Sequence, residues 1–228
     1  MAFRKGTLKV KERILSVSVR LFLQKGYRAT TISQIVKEAR VSVSSLQNIF
    51  HAKEDILGDL VEVVFCRQFE EAAGICGKDL PPMYVYAVAA SVQLALTERN
   101  ENMRELYLEA YSVPNTSEYI YQHTAEELLR SFGRYMPDFT LGNFYNMEIG
   151  TAGVMRGYMS RRCSLHFTLK DKVECFLTTV MRTYWVPEDE QKKVLDYVGH
   201  LDLSAAADGV LRNLIAALEA QYGFTLQP

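Results

Sequence analysis

Two short helices joined by a tight turn are predicted by residues 30–53, which read TTISQIVKEARVSVSSLQNIFHAK. Thr31, followed three residues later by Gln34, matches a capping box, in which two side chains satisfy free amides at a helix start. Apolar residues then repeat at helical spacing, at Ile32, Ile35, Val36 and Ala39. The first helix of the pair is therefore predicted to run for about two turns after Thr31.

The second helix of the pair is predicted to start at Ser42, a residue type that caps helices, and to point Leu46 and Ile49 inward. Its opposite face carries small and amide side chains, namely Val43, Ser44, Gln47 and Asn48. Residues 8–24 before the pair have an amphipathic helical pattern that Gly26 ends. Two short helices with a polar outward face on the second are typical of a helix-turn-helix.

The charge of the chain is divided unequally between its two parts. Residues 1–55 contain eleven Lys and Arg against four Asp and Glu, a net of +7, and the remaining residues carry a net of −8. A basic segment joined to an acidic body is typical of a DNA-binding module fused to a different domain, because phosphate neutralisation needs clustered cations. A solvated basic surface without a partner is the alternative reading of the charge alone.

Fixed spacings extend this pattern over residues 10–57. The residues that carry them are Leu21, Phe22, Gly26, Tyr27, Thr30, Thr31, Ile35, Ala39, Val41, Ser42, Leu46, Phe50, Lys53, Glu54 and Leu57. This stretch resembles the N-terminal domain of TetR-family transcriptional regulators. The sequence departs from the family at Arg40, Ser44 and Gln47, where a turn glycine, a second glycine and a phosphate-contacting tyrosine are usual. The resemblance implies a positive φ at Arg40.

Two kinds of DNA contact are predicted. Thr31 and Lys53 lie beside helix starts and would hold phosphates, and a helix cap alone is the alternative role of Thr31. Gln47 and Asn48 would contact adenine edges, and Val43 a thymine methyl group. The full predicted set is Thr30, Thr31, Ser42, Val43, Ser44, Ser45, Gln47, Asn48, His51 and Lys53. Tyr27 is predicted to pack in the core.

The rest of the chain reads as helices separated by turn signals, with no strand pattern. The predicted ranges are 54–77, 82–98, 101–112, 117–136, 140–163, 168–186, 188–201 and 203–222. The predicted fold is all-α, with a three-helix helix-turn-helix domain at residues 1–53 and a helical effector-binding and dimerisation domain at residues 54–228.

The resemblance implies a small-molecule pocket among the middle helices, which are rich in tyrosine and methionine. Such side chains can wall an apolar cavity, although core packing is the alternative for each. The predicted ligand contacts are Met103, Tyr107, Tyr111, Tyr121, Tyr145, Met155, Tyr158 and Met159. Glu109, His123 and Arg156 are candidates to orient a polar group.

The resemblance also implies a homodimer, in which two late helices from each subunit form a four-helix bundle. Apolar stripes at 168–186 and 203–222 are the predicted dimer surface, and burial within the subunit is the alternative. The stripes are Val173, Phe176, Leu177, Val180 and Met181, and Val210, Leu211, Leu214, Ile215 and Leu218. Such a dimer would bind an inverted-repeat operator in double-stranded DNA.

Several classes of site are not expected. No run of about 18 apolar residues and no signal-peptide pattern occurs, so no membrane interaction is predicted and the cytoplasm is the expected location. The four cysteines lack C-x-x-C spacing, which predicts reduced, mostly buried thiols and no metal or other cofactor. No catalytic motif occurs, and an enzyme is not expected.

The predicted function is that of a dimeric repressor released from its operator by a small-molecule effector. Effector binding would move the helix at 54–77 and so change the separation of the two recognition helices. The alternative is a DNA-binding protein of the same fold without an inducer, acting through a protein partner or on chromosome architecture. A cavity of several hundred Å³ among the middle helices would distinguish the two.

Overall fold

A computed structural model describes residues 2–222, without the side chains of residues 2–7, 66, 221 and 222. Within this range the chain forms helices and one isolated bridge, between Ser164 and Phe167. The helices are α1 (Ala2–Lys25), α2 (Ile32–Ala39), α3 (Val43–Gln47), α4 (Lys53–Cys76), α5 (Pro82–Arg99), α6 (Glu101–Ala110), α7 (Pro114–Phe132), α8 (Leu141–Ser160), α9 (Leu169–Thr183), α10 (Glu188–Gly199) and α11 (Leu203–Tyr222), with a 3-10 turn at Gly133–Tyr135. The predicted all-α fold with an N-terminal helix-turn-helix is confirmed.

The first three helices pack around a common apolar centre. Phe22 of α1, Ile35 of α2 and Leu46 of α3 are almost completely buried there. Tyr27 is buried as predicted, with its ring edge on Phe22 at a centroid distance of 5.0 Å. α3 ends at Gln47, earlier than predicted, so Ile49 lies beyond the helix and is half-buried. The amides of Ile49 and Phe50 donate to the Leu46 carbonyl at 2.9 and 2.7 Å.

The turn between α2 and α3 has the backbone conformation that the sequence predicts. Arg40 has φ 52° and ψ 48°, in the left-handed region, and its amide donates to the carbonyl groups of Val36 and Lys37. At the other end of α2, the capping box is complete. The Gln34 amide donates to the Thr31 hydroxyl at 3.3 Å, and the Thr31 amide donates to Gln34 Oε1 at 2.9 Å.

The body is organised around α5, which packs against α4, α6, α7, α9, α10 and α11. It is buried on all sides from Tyr86 to Thr97, as expected of a central helix. Most of the predicted helix ends agree with the structure to within two residues. α7 begins earlier, at Pro114, because proline suits the first helical turn, and α9 ends earlier, at Thr183, before Trp185 adopts φ 57°.

α4 runs without interruption from the helix-turn-helix into the body. Its first turns bury Ile56 and Leu57, and its later turns bury Phe65 and Ala72. The predicted domain boundary between residues 53 and 54 falls at the start of this shared helix and stays a prediction. Residues 1 and 223–228 of the two predicted domains lie outside the described residues.

The two stripes predicted to form a dimer surface face the core of their own subunit. All five named residues of α9 are buried, as are Val210, Leu214 and Leu218 of α11, while Leu211 and Ile215 are half-buried. α9 packs on α5 and α8, and α11 on α1, α4 and α5. The prediction for these stripes is therefore wrong, because a helical pattern shows that a face is apolar without showing what covers it.

The cysteines also differ from prediction. Cys76 and Cys163 are free and half-buried, Cys175 is free and exposed, and the side chain of Cys66 lies outside the described residues.

The described residues contain no cluster of His, Cys, Asp and Glu that could hold a metal ion. In the same part of the chain, no helix combines the length and apolar character needed to cross a bilayer.

Candidate DNA-binding surface and interior cavities

The outward face of α3 is the principal candidate surface. Val43 is 50% exposed, and Ser44, Gln47 and Asn48 are also exposed. Leu46, on the opposite side, is 1% exposed and anchors the helix to α1 and α2. This arrangement presents one methyl-bearing, one hydroxyl and two amide side chains to solvent, the groups that recognise base edges in a major groove.

Three serines at the start of α3 bond to one another. The Ser42 hydroxyl accepts from the Ser45 amide at 3.0 Å and lies 2.7 Å from the Ser45 hydroxyl and 3.0 Å from that of Ser44. Ser42 therefore caps the helix as predicted. Ser45 is half-buried beneath it, whereas Ser44 keeps an exposed hydroxyl.

Thr30 and Lys53, two of the predicted DNA contacts, hold the domain together in the structure. Thr30 is fully buried, and its hydroxyl donates to the Gly26 carbonyl at 2.7 Å. The Lys53 ammonium donates to the carbonyl groups of Tyr27 at 2.8 Å and Thr30 at 3.0 Å, and lies 4.1 Å from the centre of the Tyr27 ring. The assignment of Thr30 is corrected, because its side chain is buried. Lys53 is half-buried with two of its three N–H donors engaged within the protein, so its phosphate contact stays a prediction.

Other cations near α3 are better placed to meet phosphates. Lys37 and Arg40 are exposed, and among the described residues neither forms a salt bridge. By contrast, Arg20 pairs with Glu38 and Arg28 with Glu109. The sequence shows the basic character of the domain but not which cations are paired. Thr31 and His51 are exposed, as their predicted roles require.

The helix-turn-helix is fastened to the body at the end of α1. The Arg28 amide donates to Glu105 Oε1 and its Nε to Glu109 Oε1, both at 2.6 Å. The Asn102 side-chain amide donates to the Leu23 carbonyl at 2.9 Å. Gly26, at φ 92°, fits against α6, since a Cβ atom there would lie 2.7 Å from Glu105 Oε2. α6 therefore holds the turn between α1 and α2.

The predicted ligand residues do not line one pocket. Met103 and Tyr107 line an apolar cavity of about 80 Å³ between α1, α4, α6 and α11. Tyr111 and Met155 line a separate cavity of about 20 Å³. The other four pack elsewhere: Tyr121, Tyr145 and Tyr158 are half-buried and Met159 is fully buried. The prediction that the eight residues line a common pocket is therefore wrong. The type of a side chain does not determine which cavity it lines.

The polar candidates of the body are also engaged. Glu109 pairs with Arg28, and Arg156 Nε donates to the Ser112 hydroxyl at 2.9 Å. His123 stacks on Tyr119 at a centroid distance of 3.8 Å. His123 also lies on the wall of an open cleft of about 610 Å³ between α4, α5 and α7. This cleft is the largest of the spaces described here.

The smaller of the two cavities contains a carboxyl group that the sequence analysis missed. Glu148 of α8 is 3% exposed, and burial raises the pKa of its carboxyl to about 8. Thr151 donates a hydrogen bond to it at 2.6 Å. A signal for Glu148 exists in the sequence, because it is spaced by four residues from both Phe144 and Ala152 on the apolar face of its helix.

Comparison with known proteins agrees with the geometry of the N-terminal helices. Residues 14–60 match the sequence profile of bacterial regulatory proteins of the tetR family. The chain is 24% identical over 174 residues to YuxN and 29% identical over 168 residues to YerO, two uncharacterised HTH-type transcriptional regulators of Bacillus subtilis (strain 168). It is 43% identical over 47 residues to HbdR, an HTH-type transcriptional regulator of Aromatoleum sp. (strain CIB).

The matches differ in extent. Those to YuxN and YerO cover 72% and 66% of this chain but 58% and 55% of the relatives, so the chain spans just over half their length. The match to HbdR covers 21% of this chain and 20% of that protein. A solved structure of a gamma-butyrolactone receptor, described as an ArpA-like protein, matches this chain with 16% sequence identity and a TM-score of 0.43. The match covers 92% of this chain and 99% of the receptor chain. The predicted family resemblance is confirmed by the profile match.

Proposed function

We propose that this chain, whose residues 14–60 match the profile of the tetR family of bacterial regulatory proteins, binds specific DNA sequences and regulates transcription. The observation that carries the proposal is the exposed face of α3, where Gln47 and Asn48 stand on a helix anchored by buried Leu46. The positive charge of this end of the chain favours contact with phosphates.

In this proposal, one set of residues contacts base edges and another set contacts phosphates. Val43, Ser44, Gln47 and Asn48 read base edges. Thr31, Lys37, Arg40 and His51 are exposed around α3 and position the duplex through its phosphates. Ser42 and Ser45 stabilise the start of the reading helix, and Thr30 and Lys53 stabilise the domain through hydrogen bonds within the protein.

We also propose that two copies pair through the outer faces of α8 and α9. Six large apolar side chains among the described residues are strongly exposed, and four of them, Leu141, Ile149, Leu165 and Trp185, lie on or beside these helices. Gly150, Gly153 and Gly157 of α8 have open space at their Cβ positions, which lets another helix approach closely. A two-fold dimer of this kind would present two copies of α3 to an inverted repeat.

A small-molecule effector that releases the operator completes the proposal. Movement in the body would reach α3 along α4 and through the contacts between α6 and Arg28. The alternative without an inducer is favoured by one observation, the small size of the enclosed cavity near Tyr111 and Met155. The open cleft of about 610 Å³ supports the effector-responsive version.

The test is selection of bound duplexes from a random DNA pool by the purified protein at near-physiological salt, followed by sequencing. The proposal predicts enrichment of an inverted repeat. A folded protein that enriches no sequence would contradict it. Enrichment of a single half-site by a protein that is monomeric in solution would contradict the dimer alone.

A further inference from the structure

Glu148 is a buried acid without a cation beside it. Its pKa is raised by burial and lowered only by the hydrogen bond from Thr151, so no positively charged side chain of the described residues offsets its burial. The Thr151 hydroxyl is also hydrogen-bonded to the Tyr184 hydroxyl at 3.1 Å. An ionised carboxylate in such a place is costly unless a positive charge joins it.

The surroundings of Glu148 are those that favour an organic cation. Among the residues that line its cavity, Glu148 is the one charged residue, and Tyr86, Tyr111 and Phe176 supply aromatic rings. Gln93 Nε2 donates to the Tyr111 hydroxyl at 3.0 Å and holds that ring in place. Aromatic faces attract cations through their quadrupoles, and a carboxylate supplies the full counter-charge.

We propose that Glu148 and the aromatic side chains around it bind an organic cation, a protonated amine or quaternary ammonium, and that this cation is the effector. The effector role rests on the proposed function above, whereas the binding site does not. The expected ligand places its cationic group at the carboxylate and its remaining atoms outside the small cavity.

The route to Glu148 passes Phe69. The cavity itself is about 20 Å³, room for about one water molecule. Phe69 of α4 lines both this cavity and the open cleft of about 610 Å³. The proposal requires the Phe69 ring to turn aside, because a substituted ammonium group is larger than one water molecule. The cleft wall carries three acids, Glu70, Glu126 and Glu127, and two cations, Lys78 and Arg130. Arg130 pairs with Glu127, so the wall keeps a net charge of −1, which favours entry of a cation only slightly.

Cation binding at this site is linked to proton release. Tyr86 of α5, Tyr111 after α6 and Tyr184 after α9 face Glu148, and burial raises the pKa of each, so they stay neutral near pH 8. α4 and α7 contribute only uncharged side chains to the cavity. At pH 7 the Glu148 carboxyl, with a pKa of about 8, is mostly protonated. A permanent cation therefore displaces about one proton on binding.

The test is isothermal titration calorimetry of the full chain with choline and with benzyltrimethylammonium. The uncharged isostere of choline, 3,3-dimethylbutan-1-ol, serves as the ligand control. Glu148→Gln keeps the side-chain shape and removes the charge, and Glu62→Gln makes the same change at an exposed site on α4. Titrations at pH 7 in two buffers of different ionisation enthalpy count the protons released.

The proposal predicts that at least one cation binds the wild type with release of about one proton, and about tenfold more tightly at pH 7 than at pH 6. Glu148→Gln should weaken that binding at least tenfold and abolish the proton release, while Glu62→Gln changes neither. Equal affinity in wild type and Glu148→Gln would overturn the site. So would equal binding of the alcohol and choline, or no binding of either cation at millimolar concentration.

The wild-type proton count and pH dependence test the site even if Glu148→Gln fails to fold. DNA is absent from this experiment, so its outcome is independent of the operator selection. Addition of the bound cation to a protein–operator complex then tests the effector role. Release of DNA from the wild type and not from Glu148→Gln is expected, and unchanged DNA affinity would overturn the effector role while leaving the cation site.

Discussion

The Nε atom of Arg28 lies 2.6 Å from Glu109 Oε1, so α6 of the body directly holds the turn that precedes the helix-turn-helix pair. The Arg28 amide bonds to Glu105, and the Asn102 side chain bonds to the Leu23 carbonyl. This connection is separate from the continuous path through α4. A shift of α6 could therefore reach α1 and α2 through these contacts as well as along α4.

Hydrogen exchange tests this connection. Glu105→Ala removes the acceptor of the Arg28 amide, so exchange of that amide should become faster, by about tenfold or more, while amides of α3 keep their rates. Glu101→Ala is the control, since Glu101 lies on the same helix and pairs with Arg104 and Arg162 within the body. Unchanged exchange at Arg28 in Glu105→Ala would show that α6 does not hold the turn.

A second prediction concerns Lys53. Lys53→Met keeps the aliphatic stem but removes the charged donor to the Tyr27 and Thr30 carbonyl groups. Because hydrogen bonds from a charged group contribute about 1.5–3 kcal/mol, the free energy of unfolding in urea should fall by about that amount without DNA. Lys37→Met, at an exposed position, should change it by less than about 0.5 kcal/mol. Equal stability of the two variants would contradict the structural role of Lys53 and favour its role as a DNA contact.

Lys53 also shows where prediction from sequence stops. The capping box of Thr31 and Gln34 and the left-handed turn at Arg40 were predictable, because both depend on residues within a few positions of each other. The partners of Lys53 are backbone carbonyls 23 and 26 residues away, which no local pattern reveals. The charge of the domain was therefore predictable and the assignment of individual cations was not.

A third prediction uses the strained turn at Arg40. Arg40→Gly and Arg40→Ala both remove the charge, but only glycine adopts φ 52° without a steric cost. Arg40→Gly should therefore be more stable than Arg40→Ala by about 1 kcal/mol, measured by urea unfolding. If Arg40 holds a phosphate, both variants should lower DNA affinity equally and reduce the slope of log affinity against log salt by about one. If both variants keep the wild-type slope of log affinity against log salt, Arg40 does not contact a phosphate.

A fourth prediction follows from the raised pKa of Glu148. The folded protein holds this proton up to about pH 8, whereas an unfolded glutamic acid loses it near pH 4.3, so the group destabilises the fold progressively as pH rises between these values. Relative to wild type, Glu148→Gln should gain about 1.4 kcal/mol of stability per pH unit from pH 6 to pH 7.5. Urea unfolding at several pH values measures the difference. A difference that is independent of pH would contradict the raised pKa.

The body was predictable as a set of helices but not as a set of surfaces. Phe176 and Val180 of α9 form a clear apolar stripe, and the structure buries it within the subunit. Met103 of α6 and Tyr111, which follows α6, line different cavities. Periodicity fixes which side of a helix is apolar, whereas the partner of that side depends on contacts between distant segments.

Selection from a random DNA pool by the wild type, Gln47→Ala and Asn48→Ala in parallel tests the central claim most directly. Gln122→Ala, an exposed glutamine of α7, is the matched control. We expect the wild type and the control to enrich the same inverted repeat, and each α3 variant to lose preference at particular base pairs of both half-sites. An unchanged motif in both α3 variants, or no enriched motif from a folded wild-type protein, would contradict the assignment of α3 as the reading helix.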